Sequence, residues 1–197
     1  MKEKREGYTL IEVALVLVIA GLIFTMAFFA LPTLWRSQRD ADRKSRVMEV
    51  VTAIKNYQTN NNRGALPALS GSGPEYISHD DIKSARSNEG SWRSVIKDYI
   101  GENFYDPEDT ERYYSFYVVE CLGSSGNKIG AGEVCAYRDG DFGKINAPGN
   151  VDLGLDYTMY IAIGATCDGD HAIKTNSLRA FAVLQTLERG GRHCYNG

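Results

Sequence analysis

Residues 13–35 form a long stretch of the chain that is apolar all round and carries no charged side chain. As an α-helix, these 23 residues rise about 35 Å, and the hydrocarbon core of a bilayer is roughly 30 Å thick. The pattern therefore predicts a helix that is able to span a membrane.

The helical pattern continues beyond this stretch in an amphipathic form. Apolar residues recur at spacings of three and four, which places them on one face of a helix. They are Val47, Val50, Val51, Ile54 and Tyr57. Polar residues follow, and Gly64 is available as a left-handed cap. We predict one long helix from about Tyr8 to Asn61, kinked or loosened near Pro32.

The C-terminal part of the chain has shorter patterns, mainly of strands. Residues 92–100 predict a short helix ended by Gly101, and aromatic and β-branched residues predict strands. The strand candidates are 113–119, which could pair with 133–137 across a Gly-rich turn, 157–163, and 179–187, where a helix is the alternative. Three or four antiparallel strands packed on the long helix predict an α+β fold.

The four cysteines, at positions 121, 135, 167 and 194, all lie in the C-terminal half. None forms a Cys-x-x-Cys pair, so neither a zinc ribbon nor a thioredoxin-like motif is indicated. An even number of cysteines outside the membrane predicts two disulfides, for which three connectivities exist. We favour Cys121–Cys135 and Cys167–Cys194; four reduced buried thiols are the alternative. The first bond would join the two strands of the proposed hairpin.

Composition limits the possible functions. A formal net charge of −3 and a pI near 5.7 argue against a basic surface for nucleic acid. The length allows one anchor helix and one modest globular domain.

Catalytic and metal-binding motifs are missing from the sequence. There is no Gly-x-Ser-x-Gly, no phosphate-binding loop and no His-Glu-x-x-His. His79, His171 and His193 have no ligand-like spacing, and we expect them at the surface. Residues 139–146 and 168–170 faintly resemble calcium loops, but neither fits the EF-hand pattern and solvated turns are favoured. We therefore predict no enzyme activity, no cofactor and no metal site.

The segment before the apolar stretch carries a specific pattern. A short charged leader ends at Gly7, and an aromatic residue, Thr, Leu, Ile and Glu12 follow directly. This pattern resembles the precursors of type IV pilins, in the class III signal family that includes the pseudopilins of type II secretion. The resemblance covers about 35 of the 197 residues.

The resemblance implies how the chain is processed and assembled. A prepilin peptidase would cut between Gly7 and Tyr8, the new amine of Tyr8 would be N-methylated, and Glu12 would become the fifth mature residue. Glu12 would then neutralise the Tyr8 ammonium of an adjacent subunit. Gly21 matches a glycine of the family. The family's helix proline commonly lies three residues before Pro32, at the position that Phe29 occupies here. We place a helix break at Gly21 and Pro32.

The resemblance also implies a division of the chain and a set of partners. Residues 1–7 would be the leader, 8–35 the transmembrane and assembly segment, 36–63 the amphipathic half-helix, and 64–197 the disulfide-bonded head. The expected partners are copies of the chain, the prepilin peptidase, an assembly platform with its ATPase, and the membrane before assembly. The head would lie outside the cytoplasmic membrane and later in an extracellular pilus for adhesion, motility or DNA uptake.

Several alternatives remain open at this stage. A type II secretion pseudopilin and a minor pilin share the same N-terminal pattern, and a signal-anchored extracellular binding protein or enzyme would explain the apolar stretch alone. A cleaved secretory signal is disfavoured because residues 28–35 offer no Ala-x-Ala-like site.

The orientation in the membrane depends on which observation is used. Counting basic residues favours a head inside the cytoplasm, since five follow the apolar stretch and three precede it. The resemblance and the cysteines favour a head outside the membrane.

Overall fold

The computed structural model describes residues 8–60, 64–71, 75–106, 109–121, 135, 158–187 and 192–197. The chain divides into two compact units, Met1–Gln38 and Arg39–Gly197. The helices of the described residues are α1 (Leu10–Asn60), α2 (His79–Ser84) and α3 (Trp92–Tyr99). The strands are β1 (Glu75–Ile77), β2 (Tyr105–Asp106), β3 (Asp109–Tyr113), β4 (Ser115–Glu120), β5 (Thr158–Ile163), β6 (Ala165–Asp168), β7 (His171–Lys174), β8 (Phe181–Thr186) and β9 (Arg192–Asn196).

Helix α1 is continuous through Gly21 and Pro32. Proline fits a helical φ but leaves one carbonyl in the preceding turn without an N–H donor. Threonine hydroxyls in the same region donate to other carbonyls, from Thr25 to Gly21 O and from Thr33 to Ala30 O, each at 2.7 Å. The helix is thus continuous at both positions to which a helix break was assigned, Gly21 and Pro32.

The second unit is built on a five-stranded sheet with the order β1-β4-β5-β8-β9. Its neighbours are antiparallel except β4 and β5, which run parallel. The α+β class is confirmed, and the sheet is mostly antiparallel, but it has five strands instead of three or four and contains one parallel pair. A parallel pair requires a long crossover connection, and nothing in the local strand pattern records which strands are joined in this way.

The predicted strand 113–119 is divided at Tyr114. The backbone N–H of Tyr114 donates to Phe104 O at 2.9 Å, so the chain leaves the β2–β3 pair there and enters the central sheet. Strand β4 has β1 on one side and β5 on the other. Of its predicted hairpin partner 133–137, only Cys135 belongs to the described residues, and its N–H donates to Ala172 O at 2.8 Å.

One face of the sheet packs against α1, α2 and α3. The strands contribute Phe116, Val118, Met159, Ile161, Phe181 and Val183 to this core, and the helices contribute Val47, Val50, Val51, Ile54, Ile82, Trp92 and Ile96. The amphipathic stripe predicted for the second half of α1 is thus the stripe that is buried.

The opposite face of the sheet is also covered. Alternate residues of the same strands, among them Tyr117, Tyr160 and Leu184, pack with Ala165 of β6 and Ala172 of β7. The disulfides Cys121–Cys135 and Cys167–Cys194 belong to this layer, so the pairing is the sequential one. Because both faces are buried, β4, β5 and β8 read as almost continuous apolar runs.

The predicted helix at 92–100 is confirmed as α3. Ser91 caps its start by accepting from the Ser94 N–H, and Gly101 follows its end with a φ of +100°. The Gly101 N–H donates to Ile96 O at 3.0 Å, which satisfies one of the last carbonyls of the helix.

Candidate functional site

The start of α1 holds two polar side chains of the segment predicted to take part in assembly, Thr9 and Glu12. Glu12 Oε2 accepts hydrogen bonds from the backbone N–H and from the hydroxyl of Thr9, both at 2.8 Å. The Glu12 N–H in turn donates to Thr9 Oγ1 at 3.4 Å. Thr9 and Glu12 thus bond to each other reciprocally across the first turn.

This arrangement is a capping box. In such a box, Thr at the N-cap and Glu three residues later satisfy backbone N–H groups that the first helical turn leaves without carbonyl partners. The sequence signature, Ser or Thr followed three residues later by an acid ahead of an apolar run, is present here. The importance of Glu12 was predicted from the sequence, whereas the role of Thr9 was not, although this signature could have revealed it.

The capping box uses one carboxylate oxygen and leaves the other available. No donor among the described residues reaches Glu12 Oε1, and the neighbouring Tyr8 is 88% exposed. The helix N-terminus carries partial positive charge, which favours an anion at this position. Glu12 is therefore held in one orientation with a free acceptor at the end of an apolar helix. Gly7, the other residue of the predicted cleavage junction, lies outside the described residues.

The apolar part of α1 is exposed along its length. Large side chains from Leu10 to Trp35 lie at the surface of the described chain, and none of the most apolar window of the helix is buried. By length and composition, α1 is able to cross a membrane. A core helix of a soluble protein would be covered by its own chain, which this segment is not. An apolar surface of this size marks a site of contact with lipid or with protein.

A buried polar cluster lies where the second unit begins, and the sequence analysis missed it. Arg43 Nε is 3.4 Å from Asp106 Oδ2, and the two side chains are 3% and 1% exposed. The hydroxyl of Tyr114 donates to the same Asp106 oxygen at 2.8 Å. Burial raises the pKa of Tyr114, so its hydroxyl stays protonated and can remain a donor. No sequence motif signals such a cluster, because its members are far apart in the chain.

The basic residues that follow the apolar stretch are in part used by the fold. Arg43 belongs to the buried cluster, and the guanidinium of Arg46 lies 5.4 Å from the ring centre of Phe104 and 5.9 Å from that of Tyr105. Arg46 also pairs with Glu49 at 2.8 Å. Two of the five basic residues thus have roles within the second unit that are unrelated to orientation in a membrane.

The three histidines occupy separate places. His79 stacks on Tyr113 with ring centres 3.6 Å apart, and His171 is exposed beside Asp170. His193 is half-buried, and its pKa is lowered by this burial and by the nearby charge of Lys44. The structure does not bring the three together.

The two loops that faintly resemble calcium sites have different outcomes. Residues 168–170 form the tight turn between β6 and β7, with Gly169 at a φ of +64°; residues 139–146 lie outside the described residues. Within the described ranges, no three His, Cys, Asp or Glu residues are grouped so as to hold a metal ion.

No protein-family model, no curated protein and no solved structure matches this chain.

Proposed function

We propose that this chain is the structural subunit of an extracellular type IV pilus. It would be inserted in the cytoplasmic membrane by the apolar half of α1, cleaved between Gly7 and Tyr8, and polymerised through that same helix. The observation that carries the proposal is a fixed carboxylate, Glu12, at the start of a long helix whose large apolar side chains from Leu10 to Trp35 are left exposed.

The position of Glu12 favours assembly over simple anchoring. Placing a carboxylate near the bilayer centre raises the free energy of insertion by roughly 2.5–3.5 kcal/mol. In a helix that serves only as an anchor, no interaction offsets this cost. In the proposed filament, Glu12 Oε1 binds the methylated Tyr8 ammonium of an adjacent subunit. The pair then enters a helix-packed core with its charges mutually satisfied.

The capping box makes this contact compatible with helix formation. Because Thr9 occupies only Oε2, the carboxylate keeps its cap while Oε1 accepts the ammonium. A neighbour placed in any other register leaves one ammonium and one carboxylate unpaired in an apolar environment, which is strongly unfavourable. The pairing would therefore select a single stagger between subunits.

The disulfides support a location for the second unit outside the cytoplasm. Structural disulfides persist in oxidising compartments and are rare in the cytosol. The roles of Arg43 and Arg46 within the fold also supply a reason for basic residues on the outer flank.

The test separates charge from capping at one position. Glu12→Ala removes both, whereas Glu12→Gln keeps an oxygen that can accept from Thr9 but cannot neutralise an ammonium. We expect both variants to be inserted and cleaved normally and both to yield few filaments, measured by immunoblotting of sheared surface fractions. A normal filament yield from Glu12→Gln would remove the role of charge, and a normal yield from Glu12→Ala would overturn the mechanism.

Mass spectrometry of sheared filaments distinguishes the remaining alternatives. A mature chain that begins with N-methylated Tyr8 and dominates the filament supports a major pilin. The same N-terminus at low abundance indicates a minor pilin. A processed chain that is absent from surface filaments under native expression indicates a type II secretion pseudopilin. Retention of the leader indicates a signal-anchored binding protein or enzyme and contradicts the proposal.

A further inference from the structure

A small pocket opens on the second unit between the end of α1, the loop before α3 and α3 itself. Its volume is about 70 Å³, and it is lined by Tyr57, Asn88, Gly90, Ser94, Asp98 and Tyr99, among others. The rings of Tyr57 and Tyr99 are perpendicular, with their centres 5.9 Å apart. The pocket thus combines two aromatic rings with one carboxylate.

The carboxylate is fixed but only partly used. Asp98 Oδ2 accepts the backbone N–H of Asn88 at 2.8 Å, and no described donor reaches Oδ1. The lining residues also include Tyr57, Ser94 and Tyr99, each of which carries a hydroxyl, and the Tyr57 hydroxyl lies 3.7 Å from the position that a Cβ would take on Gly90. The site offers acceptors and ring surface to a ligand, and no lysine, arginine or histidine lines it.

The loop that shapes the pocket is held in an uncommon conformation. Asn88 has a φ of +64° and is the only non-glycine residue in the left-handed region among the described residues. Gly90, two positions later, has a φ of +69°. Backbone conformations of this kind persist when surrounding contacts impose them, and here the bond from Asn88 to Asp98 does so. The loop and the carboxylate are therefore organised together before any ligand arrives.

We propose that this pocket binds a small alkylammonium ion. Aromatic rings attract cations that lie within about 6 Å of the ring centre, and a carboxylate supplies the counter-charge. The volume of about 70 Å³ is several times what a single water requires, so the pocket has room for a small group. That size suits the head group of a lysine side chain or of a choline-type molecule, and excludes a large ring system.

The experiment uses the full-length chain in detergent micelles, with ammonium salts as probes. Methylammonium and tetramethylammonium chloride are titrated separately while the backbone amides of Asn88 and Gly90 are followed by NMR. Sodium chloride at the same ionic strength is the reference. We expect a saturable shift at both amides with the ammonium salts only. A primary-amine preference would indicate a lysine-type source, and a quaternary preference a choline-type source.

Matched variants test which groups bind. Asp98→Asn keeps an oxygen for the Asn88 N–H but removes the charge, and we expect at least a ten-fold weaker affinity. Tyr99→Leu should weaken binding several-fold, while Tyr99→Phe, which keeps the ring, should bind as the parent chain does. Asp80→Asn, on α2 outside the pocket, is the control for general charge. Shifts that equal those with sodium chloride, or an unchanged affinity in Asp98→Asn, would overturn the proposal. Its outcome does not depend on filament assembly.

Discussion

The bond between Thr9 and Glu12 gives a single carboxylate two separate tasks. One oxygen closes the first turn of α1, and the other is free for a partner. A capping bond in an apolar environment matters more than one in water, because unsatisfied N–H groups there have no solvent to bond with. Thr9 is therefore a positioning residue for Glu12, and its effect can be separated from that of the charge.

Replacing Thr9 tests this separation. Thr9→Val keeps the shape of the side chain but removes the hydroxyl, and loss of an N-cap costs about 1 kcal/mol. We expect faster hydrogen exchange at the amides of Leu10 to Val13 and a reduced filament yield, although Glu12 remains charged. Thr9→Ser restores a hydroxyl and should behave as the parent chain does. Unchanged exchange in Thr9→Val would show that the cap contributes nothing.

The buried pair of Arg43 and Asp106 makes a second prediction at this scale. Removing one partner deprives the buried charge of the other of this counter-charge, so Arg43→Met and Asp106→Leu should each lower the free energy of unfolding by roughly 3–5 kcal/mol. The double variant should lose less free energy of unfolding than the sum of the losses of the two single variants, by at least about 1 kcal/mol.

The exposed pair of Arg46 and Glu49 is the matched control for this cycle. Its side chains are 30% and 46% exposed, so its coupling should stay below about 0.5 kcal/mol. Chemical denaturation in detergent measures both cycles. Equal coupling energies in the two pairs would contradict the importance of burial at Arg43.

At the scale of elements, the sequence predicts which segments form helices and strands better than it predicts how the strands pair. The stripe Val47 to Tyr57 and the apolar run of β5 are strong local signals, whereas the run of β8 also allowed a helix; each element is present. The parallel pairing of β4 with β5 and the division at Tyr114 depend on contacts between distant segments, which no local period encodes. The buried cluster of Arg43 also depends on contacts between distant segments, so the sequence does not predict it. The capping box lies within four consecutive residues, so its sequence signature can be recognised.

The surroundings of His193 on β9 predict a dependence of stability on pH. Burial and Lys44 lower the pKa of His193, so the unfolded chain takes up a proton at a higher pH than the folded chain does. Above the ordinary histidine pKa of about 6.5, both states are neutral and the residue has no effect. As the pH falls below that value, stability should be lost.

A substitution can assign this loss to His193. His193→Gln should flatten the dependence of unfolding free energy on pH below about 6.5, measured by denaturant titrations at several pH values. Lys44→Met removes the charge that disfavours protonation, so it should reduce the loss partially. A slope that persists unchanged in His193→Gln would assign the dependence to other groups.

At the scale of the whole molecule, the two units differ in how they satisfy their apolar surface. The second unit buries both faces of its sheet within residues 39–197, and its two disulfides lie in the same unit. The apolar part of α1 in the first unit has no cover of its own. The solubility of the first unit therefore depends on lipid, detergent or other copies of the chain. The second unit is stabilised by its own buried core and its own disulfides.

This difference predicts the behaviour of a fragment that begins at Arg39. The fragment retains the whole core between the sheet and the helices, including the residues Val47 to Ile54 that α1 contributes to it. We therefore expect a folded, soluble monomer when the fragment is produced under oxidising conditions. Size-exclusion chromatography and circular dichroism measure this, and a cooperative thermal transition should be present without detergent. The full-length chain under the same conditions should aggregate unless detergent covers its apolar side chains. A fragment that is unfolded or aggregated would show that the second unit depends on the first, and a full-length chain that stays monomeric without detergent would contradict the exposure of the apolar helix.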